Sequence, residues 1–183
     1  MFVRSTVALL TGVMIGLMSG TAMSVASAEE MAVSDGKITL QSPEGWKKKQ
    51  PKSNIIEHEC EIPAVGDDAN AGRMTIMGAG GSVEDNIARW FGQFKPKDKP
   101  EQKELTIAGQ KVHYVDITGT YSDQAGGPFA GGAKVERENY RMLAAIIVTE
   151  KSGNYFVKFY GPKATVAANE DAFKKMIDGI KVK

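Results

Sequence analysis

Cysteine and histidine are scarce in this chain of 183 residues, which contains one cysteine and two histidines. A single thiol cannot form a disulfide within the chain, so packing has to stabilise the fold. In residues 56–62, His58 and Cys60 alternate with acidic residues, which predicts a strand that points both side chains inward. We therefore expect Cys60 to behave as a small buried hydrophobic side chain. Without a third ligand beside this pair, the spacing does not predict a metal site, and no pattern indicates a cofactor.

Residues 29–183 also have no excess of positive or negative charge. Residues 29–183 contain 22 basic and 22 acidic residues, because Arg4 is the only charged residue before Glu29. A neutral domain has no long-range attraction for nucleic acid or for an anionic membrane, so neither is expected as a partner. Two lysine clusters, at 47–52 and 95–103, are interpreted as solvated loops. No apolar stretch after residue 28 is long enough to predict a membrane span.

The first 28 residues have the features of a targeting segment. Arg4 precedes an apolar stretch at residues 7–18, and small residues end the segment at Ala26-Ser27-Ala28. A charged start, a short apolar middle and an A-x-A end are typical of a cleavable secretory signal. The sequence predicts a signal peptide at 1–28, a single domain at 29–183, and a mature protein that works in the periplasm or outside the cell. No lipid anchor is expected at the new N-terminus, because the residue directly after the cleavage site is Glu29 and not a cysteine.

Strands and helices are predicted in an order that indicates an α+β fold. Short strands are expected at residues 37–40, 55–62 and 73–77, followed by a helix that Ser82 caps. A meander of strands near 103–107, 111–121, 140–149 and 155–160 leads to one last helix and an edge strand at 180–182. Residues 142–148 are apolar without alternation, which is typical of a strand covered on both faces. We predict a twisted, mostly antiparallel sheet with helices packed on it.

A glycine-rich junction between a strand and the first helix is a candidate ligand site. Gly80, Gly81 and Ser82 lead into the helix, whose free N–H groups can bind an anion, and Arg89 and Arg141 would assist. The spacing matches neither a dinucleotide fingerprint nor a phosphate-binding loop with its lysine. Two acidic residues in the first helical turn would also repel an anion. A tight turn without a ligand is the alternative.

A long loop at residues 122–136 is a candidate partner-binding element. Its centre contains Gly126, Gly127, Pro128 and Phe129, followed by further glycines. Long loops of this kind are either mobile connections or binding loops. An aromatic side chain between glycines can anchor a partner, so Phe129 is the candidate contact. An insertion without a function is the alternative.

Patterns for catalysis are not evident. His58 and His113 fall on different strands, and His113 shares its strand face with apolar residues. No serine lies in a G-x-S-x-G elbow, and no carboxylate pair is recognisable from spacing. We therefore expect a protein that is not an enzyme.

Four basic residues on the helix and the sheet are candidates for a basic cleft. Arg89 lies on the predicted helix, whereas Arg137, Arg141 and Lys158 lie on predicted strands. Lys158 also alternates with aromatic residues at 156 and 160, which indicates a partly exposed strand face. Spacing alone does not establish whether the four cations converge.

The order of elements resembles that of PsbP-like domains. The resemblance rests on Trp46 after a Pro-Gly turn, on the helix at residues 86–90, on the long meander, and on residues 155–162 before the final helix. PsbP-like domains take their name from an extrinsic subunit of photosystem II and include the Mog-type Ran-binding proteins. The chain also resembles, more closely, small secreted proteins of planctomycete bacteria that have no assigned activity. The resemblance implies an α/β/α sandwich used mainly to bind other proteins, and it assigns no functional residue.

These observations favour an exported, non-enzymatic binding module that docks on a protein of the cell envelope. One alternative is the binding or hydrolysis of a small anionic compound at residues 78–82. Another is a structural envelope protein without a discrete site.

Overall fold

A computed structural model of the chain describes residues 28–124, 133–150 and 152–183. Eleven strands and three helices lie within these residues. In chain order they are β1 (Glu30–Val33), β2 (Ile38–Gln41), β3 (Lys47–Lys49), β4 (His58–Ile62), β5 (Gly72–Ala79), α1 (Val83–Phe91), β6 (Phe94–Pro96), β7 (Glu101–Ile107), β8 (Gln110–Gln124), β9 (Lys134–Thr149), β10 (Gly153–Pro162), α2 (Lys163–Ala168), α3 (Glu170–Asp178) and β11 (Lys181–Val182).

The main sheet contains eight strands, and each neighbouring pair is antiparallel. Their order is β3-β4-β5-β10-β9-β8-β6, and β7 also pairs with β8. A second sheet has the order β1-β2-β11. The predicted antiparallel α+β class is confirmed.

Side chains of the central strand β9 point alternately to two cores. Met142 and Ala144 pack on the side of α1, whereas Leu143 and Ala145 pack on the side of α2 and α3. Every residue from 142 to 147 is fully buried. The prediction of a strand covered on both faces is therefore confirmed.

The first core lies between the main sheet, α2, α3 and the second sheet. Trp46 packs against Phe159 with ring centroids 5.0 Å apart, and Phe159 packs against Phe173 at 5.9 Å. The Trp46 Nε1–H donates a hydrogen bond of 3.0 Å to Oδ1 of Asn169 between the two helices. Cys60 belongs to this core and is 2% exposed, as its alternation predicts. Burial raises the pKa of its thiol to about 11.

The second core lies between the opposite face of the sheet and α1. Ile87 and Trp90 form the apolar face of this helix, and the Trp90 ring meets the edge of Phe156 at a centroid distance of 5.2 Å. Phe94 packs in the same core from β6. No helix in the described part of the chain has the length and apolar composition needed to cross a membrane.

Several element boundaries differ from the sequence prediction. Lys47–Lys49 form the edge strand β3 rather than a loop, because pairing with β4 leaves all three lysine side chains exposed to solvent. Strand β4 begins at His58 instead of residue 55. The last helix is interrupted at Asn169, whose side-chain amide donates to the carbonyl of Thr165. The expected loop at 122–136 is shorter, because β8 continues to Gln124 and β9 begins at Lys134.

Strand β6 approaches β8 closely at Gly119. A Cβ atom at this position would lie 2.2 Å from the carbonyl oxygen of Lys95 and 2.9 Å from Cα of Pro96. Both are backbone atoms of the neighbouring strand, so only glycine allows the two strands to pair here.

Candidate binding site

The glycine-rich junction forms a capped helix start. Ser82 is the N-cap of α1, and its Oγ accepts a hydrogen bond of 3.0 Å from the backbone N–H of Asp85. Glu84 and Asp85 lie in the first turn, where their charge interacts favourably with the helix dipole. The N-terminus of α1 is thus stabilised by groups of its own chain.

Asparagine side chains hold the carbonyl groups of the same junction. The Asn86 Nδ2 group donates to the carbonyl oxygens of Gly80 at 3.1 Å and of Ser82 at 2.8 Å. The Asn154 Nδ2 group of β10 donates to the carbonyl of Gly81 at 3.3 Å. Because Asn86 is only 2% exposed, these contacts favour the tight-turn interpretation over an open anion site.

The structure places Arg89 next to this junction but Arg141 on the other face of the sheet. Arg89 is exposed on α1 and donates through Nη2 to Oδ1 of Asn86. Arg141 alternates with residues of the α1 core and therefore points to the opposite side, where it binds both oxygens of Asp116 at 2.9 and 2.6 Å. Its Nη1 lies 2.7 Å from Oε2 of Glu170, so Arg141 joins α3 to the sheet.

A half-buried lysine on the α1 face is the centre of a different site. The Nζ of Lys158 donates a hydrogen bond of 2.6 Å to Oε1 of Gln93, which follows α1. The same atom lies 5.2 Å from the ring centroid of Tyr160 and 5.8 Å from that of Tyr121. Ammonium groups at this distance are attracted by the negative face of an aromatic ring. We call these four residues the Lys158 cluster.

An ion pair supports one side of the Lys158 cluster. Arg73 of β5 binds Glu59 of β4 through two hydrogen bonds of 2.8 and 2.9 Å, and these bonds lower the pKa of Glu59. The Nη1 group of Arg73 also donates to the hydroxyl of Tyr160 at 2.9 Å. The ring of Tyr160 is thereby fixed beside Lys158.

A second ion pair lies on the other side of the cluster. Arg137 donates to Asp123 at 2.8 Å, and its guanidinium carbon lies 6.0 Å from the ring centroid of Tyr140. The Tyr140 ring is stacked on Tyr121 at a centroid distance of 6.0 Å. Arg137 is therefore connected to the Lys158 cluster through two tyrosine rings.

The cations of this face differ in whether they have a carboxylate partner. Arg73 and Arg137 each have a carboxylate partner. By contrast, within the residues that the structure describes, no carboxylate oxygen lies within 4.0 Å of the charged groups of Lys158 or Arg89. Burial, with the nearby charges of Arg73 and Arg89, lowers the pKa of Lys158 to about 7.

Two paired segments of β8 and β9 extend beyond the rest of the sheet, and we call residues 121–124 and 134–139 the arm. Tyr121 pairs with Arg137, and Asp123 pairs with Val135. On the other side of β9, pairing with β10 stops where Pro162 meets Tyr140. No strand of the described chain lies beside the outer edge of residues 134–139.

A β-bulge at the base of the arm changes which way its side chains point. The register between β8 and β9 shifts between Gly119 and Tyr121, and Asn139 has a φ of 54°. Strict alternation would place Arg137 on the same face as Arg141. Because of the bulge, Arg137 instead lies beside Tyr140 on the α1 face.

The predicted basic cleft is thus present in part. Arg89 and Lys158 lie on the α1 face, and Arg137 reaches this face at the arm, whereas Arg141 does not. Sequence reasoning found the lysine between two rings but did not find Arg73, because no local pattern indicates pairing between β5 and β10. Gly126, Gly127, Pro128 and Phe129, the candidate partner-binding residues, lie outside the described residues.

Each of the two histidines lies near an oxygen atom of another strand. His113 is buried, and its Nε2 lies 3.8 Å from a carboxylate oxygen of Glu104. The Nε2 of His58 is 2.8 Å from the carbonyl oxygen of Ala32. In the described ranges, no three His, Cys, Asp or Glu side chains are grouped so that they could hold a metal ion.

No protein-family model and no curated protein matches this sequence. Among solved structures, the chain is similar to the cyanobacterial PsbP protein CyanoP from Synechocystis sp. PCC 6803. The sequence identity is 12%, the match covers 91% of this chain and 99% of that one, and the TM-score is 0.52. The fold is PsbP-like. This confirms the predicted resemblance at the level of the fold.

Two further solved structures are similar to this PsbP-like chain. One is the Ran-binding protein Mog1p of Saccharomyces cerevisiae, with 12% identity, coverage of 86% of this chain and 96% of that one, and a TM-score of 0.48. The other is a protein of unknown function from Pseudomonas aeruginosa, with 15% identity, coverage of 83% and 94%, and a TM-score of 0.46. The resemblance to planctomycete proteins stays a prediction.

Proposed function

We propose that this chain is an exported, non-enzymatic module that binds a protein of the cell envelope through the open edge of its arm. The signal peptide predicted at residues 1–28 gives the location, and residues 29–183 are the binding domain. The outer edge of residues 134–139, which pairs with no strand among the residues that the structure describes, is the observation that carries the proposal. An extended segment of the partner would add to β9 as a further strand.

The backbone groups that would bind this segment can be identified from the pairing. The N–H of Ser122 donates to the carbonyl of Gln93 at 2.8 Å, so it points away from β9. In an antiparallel pair, the residue opposite then also directs its N–H and C=O outward. That residue is Glu136, whose backbone therefore faces the open edge of the arm.

Charge protects this edge from indiscriminate pairing. Lys134, Glu136 and Glu138 are exposed and carry both signs, and Glu136 forms an ion pair with Lys95. Alternating charges of this kind disfavour self-association of an edge strand and favour a partner with a complementary pattern. Val135 adds an exposed apolar side chain for such a partner to cover.

The partners of proteins with a similar fold are not part of this proposal. Mog1p is described as a Ran-binding protein, and CyanoP as a cyanobacterial PsbP protein. Because both identities are 12%, Ran is not transferred to this chain as a partner.

Replacement of Glu136 by proline tests the proposal. Glu136→Pro removes the N–H at the open edge but leaves the ladder bonds of Val135 and Arg137 to β8 in place. The matched control Glu136→Ala removes the same side chain, including its ion pair with Lys95, but retains the N–H. Tagged mature protein and both variants would be used to purify partners from envelope extract of the source organism.

We expect wild type and Glu136→Ala to retain the same partner. The amount of this partner purified with Glu136→Pro should be at least tenfold lower. Equal retention by Glu136→Pro and Glu136→Ala would show that the edge does not bind the partner. Deletion of residues 126–132 in the same experiment tests the contribution of the predicted loop. Circular dichroism of each variant checks that the fold is intact.

A further inference from the structure

The Lys158 cluster has donors that the described chain does not use. An ammonium group has three N–H donors, and one of those on Lys158 binds Gln93. The rings of Tyr121 and Tyr160 border the group, but an aromatic ring does not replace a carboxylate as a counter-charge. A half-buried cation without such a partner has lost part of its hydration, which points to a ligand that supplies a counter-charge.

Arg89 provides a second cation on the same side. It lies on α1 four residues before Gln93, and its charge is one of those that lower the pKa of Lys158. Arg89 is exposed and contacts only the neutral amide of Asn86 among the hydrogen bonds of the described residues. An anionic group bound next to Gln93 would therefore interact with both cations.

We propose that the Lys158 cluster and Arg89 bind the carboxylate of an acidic side chain of the protein partner. This inference rests on the proposed function, because the cluster shares Tyr121 with the arm. A partner held along residues 134–139 would thus lie beside the cluster.

A single carboxylate fits this site better than a polyanion. The mature domain carries equal numbers of acidic and basic residues, so it has no broad positive field. The neighbouring cations Arg73 and Arg137 are already neutralised by Glu59 and Asp123. Only two positive charges remain, and they can be matched locally by an acidic side chain or by two adjacent ones.

The ionisation of Lys158 makes such binding dependent on pH. The charged and titratable groups that face it are Arg73 and Glu59 on β5 and β4, Arg89 on α1, Tyr121 and Asp123 on β8, Arg137 and Tyr140 on β9, and Tyr160 on β10. A bound carboxylate raises the pKa of Lys158, so the complex holds more protons than the free protein above about pH 7. Affinity then decreases by up to about tenfold per pH unit above that value.

Short peptides test the site without the natural partner. The mature protein would be titrated with Ac-Glu-Gly-Glu-Gly-Glu-Gly-NH2, with its Gln counterpart, and separately with inorganic phosphate and acetate. The NMR signals of the lysine Cε and Nζ atoms would be followed at pH 6.5 and 8.5. The variants are Lys158→Gln and Arg89→Gln, with Lys111→Gln as the matched control on the same sheet.

We expect the glutamate peptide to shift the Lys158 signals at lower concentration than phosphate or acetate, the Gln counterpart to leave them unchanged, and the binding to be weaker at pH 8.5. Lys158→Gln should weaken binding at least tenfold and Arg89→Gln several-fold, whereas Lys111→Gln should have no effect. Equal binding of the two peptides, or phosphate or acetate binding as tightly as the glutamate peptide, would overturn the inference. If Lys158→Gln retains the envelope partner that Glu136→Pro loses, this inference fails while the proposed function stands. If both variants retain that partner, both proposals fail.

Discussion

Replacement of Lys158 by methionine should change how the stability of this protein depends on pH. Methionine keeps the length and most of the volume of the side chain but cannot carry a proton. In the folded chain, burial and the charges of Arg73 and Arg89 lower the pKa of Lys158 from 10.5 to about 7. The unfolded wild type therefore holds more protons than the native state between these two values. Its free energy of unfolding should accordingly rise with pH across that window.

The size of this effect follows from the proton count. When the unfolded state binds one proton more than the native state, the free energy of unfolding rises by about 1.4 kcal/mol per pH unit. Because Lys158 is partly exposed, solvent screening reduces the value, and we expect a rise of about 1–2 kcal/mol between pH 7 and 9. The methionine variant should lack this rise and should be more stable relative to wild type at pH 7 than at pH 9.

Urea denaturation followed by circular dichroism at pH 7, 8 and 9 measures the difference. Lys111→Met is the matched control, because Lys111 is exposed at the other end of β8 and forms a surface ion pair with Glu104. This control should show the same pH slope as wild type. If wild type and Lys158→Met have parallel slopes, the ammonium group is well solvated in the native state and the argument from its burial is wrong.

Three other expectations follow from the structure. Gly119→Ala should lower the free energy of unfolding by about 2–3 kcal/mol, because the added Cβ meets backbone atoms of β6. The control Gly80→Ala, whose Cβ meets no atom within 4 Å, should stay within about 0.5 kcal/mol of wild type in the same urea titration. Arg141→Gln should cost about 2 kcal/mol, because it leaves the partly buried carboxylate of Asp116 without its ion-pair partner and leaves Glu170 paired with Lys174 alone; a melting temperature equal to that of wild type would contradict this. The thiol of Cys60 should resist alkylation at pH 8 until the protein unfolds, since its pKa is raised to about 11; rapid labelling of the native protein would show that it is accessible.

The parts of the fold that could be predicted are those that depend on short-range periodicity. Alternation in residues 56–62 correctly placed Cys60 in the core, and the unbroken apolar run at 142–148 identified the central strand. Ser82 was recognised as a helix cap because its hydroxyl bonds a residue only three positions away. Each of these signals lies within one element and its immediate flank.

The candidate site could not be assembled in this way. Lys158 meets Gln93 and Tyr121 only because β10, α1 and β8 come together in the tertiary structure, across separations of tens of residues. Arg137 shows a further limit, since a one-residue bulge near Asn139 reverses the face on which it lies. A pattern that assumes a regular strand groups Arg137 with Arg141, whereas the folded chain separates them.

The division of the interior into two cores gives each side of the sheet its own fluorophore. Trp46 is buried between the sheet and the C-terminal helices, and Trp90 is buried beneath α1. Single-tryptophan variants can therefore report separately on the two layers as denaturant is added. If the two unfolding curves coincide, the domain unfolds as one cooperative unit. If Trp90 becomes exposed at a lower denaturant concentration than Trp46, the layer that contains α1 unfolds independently of the rest of the domain.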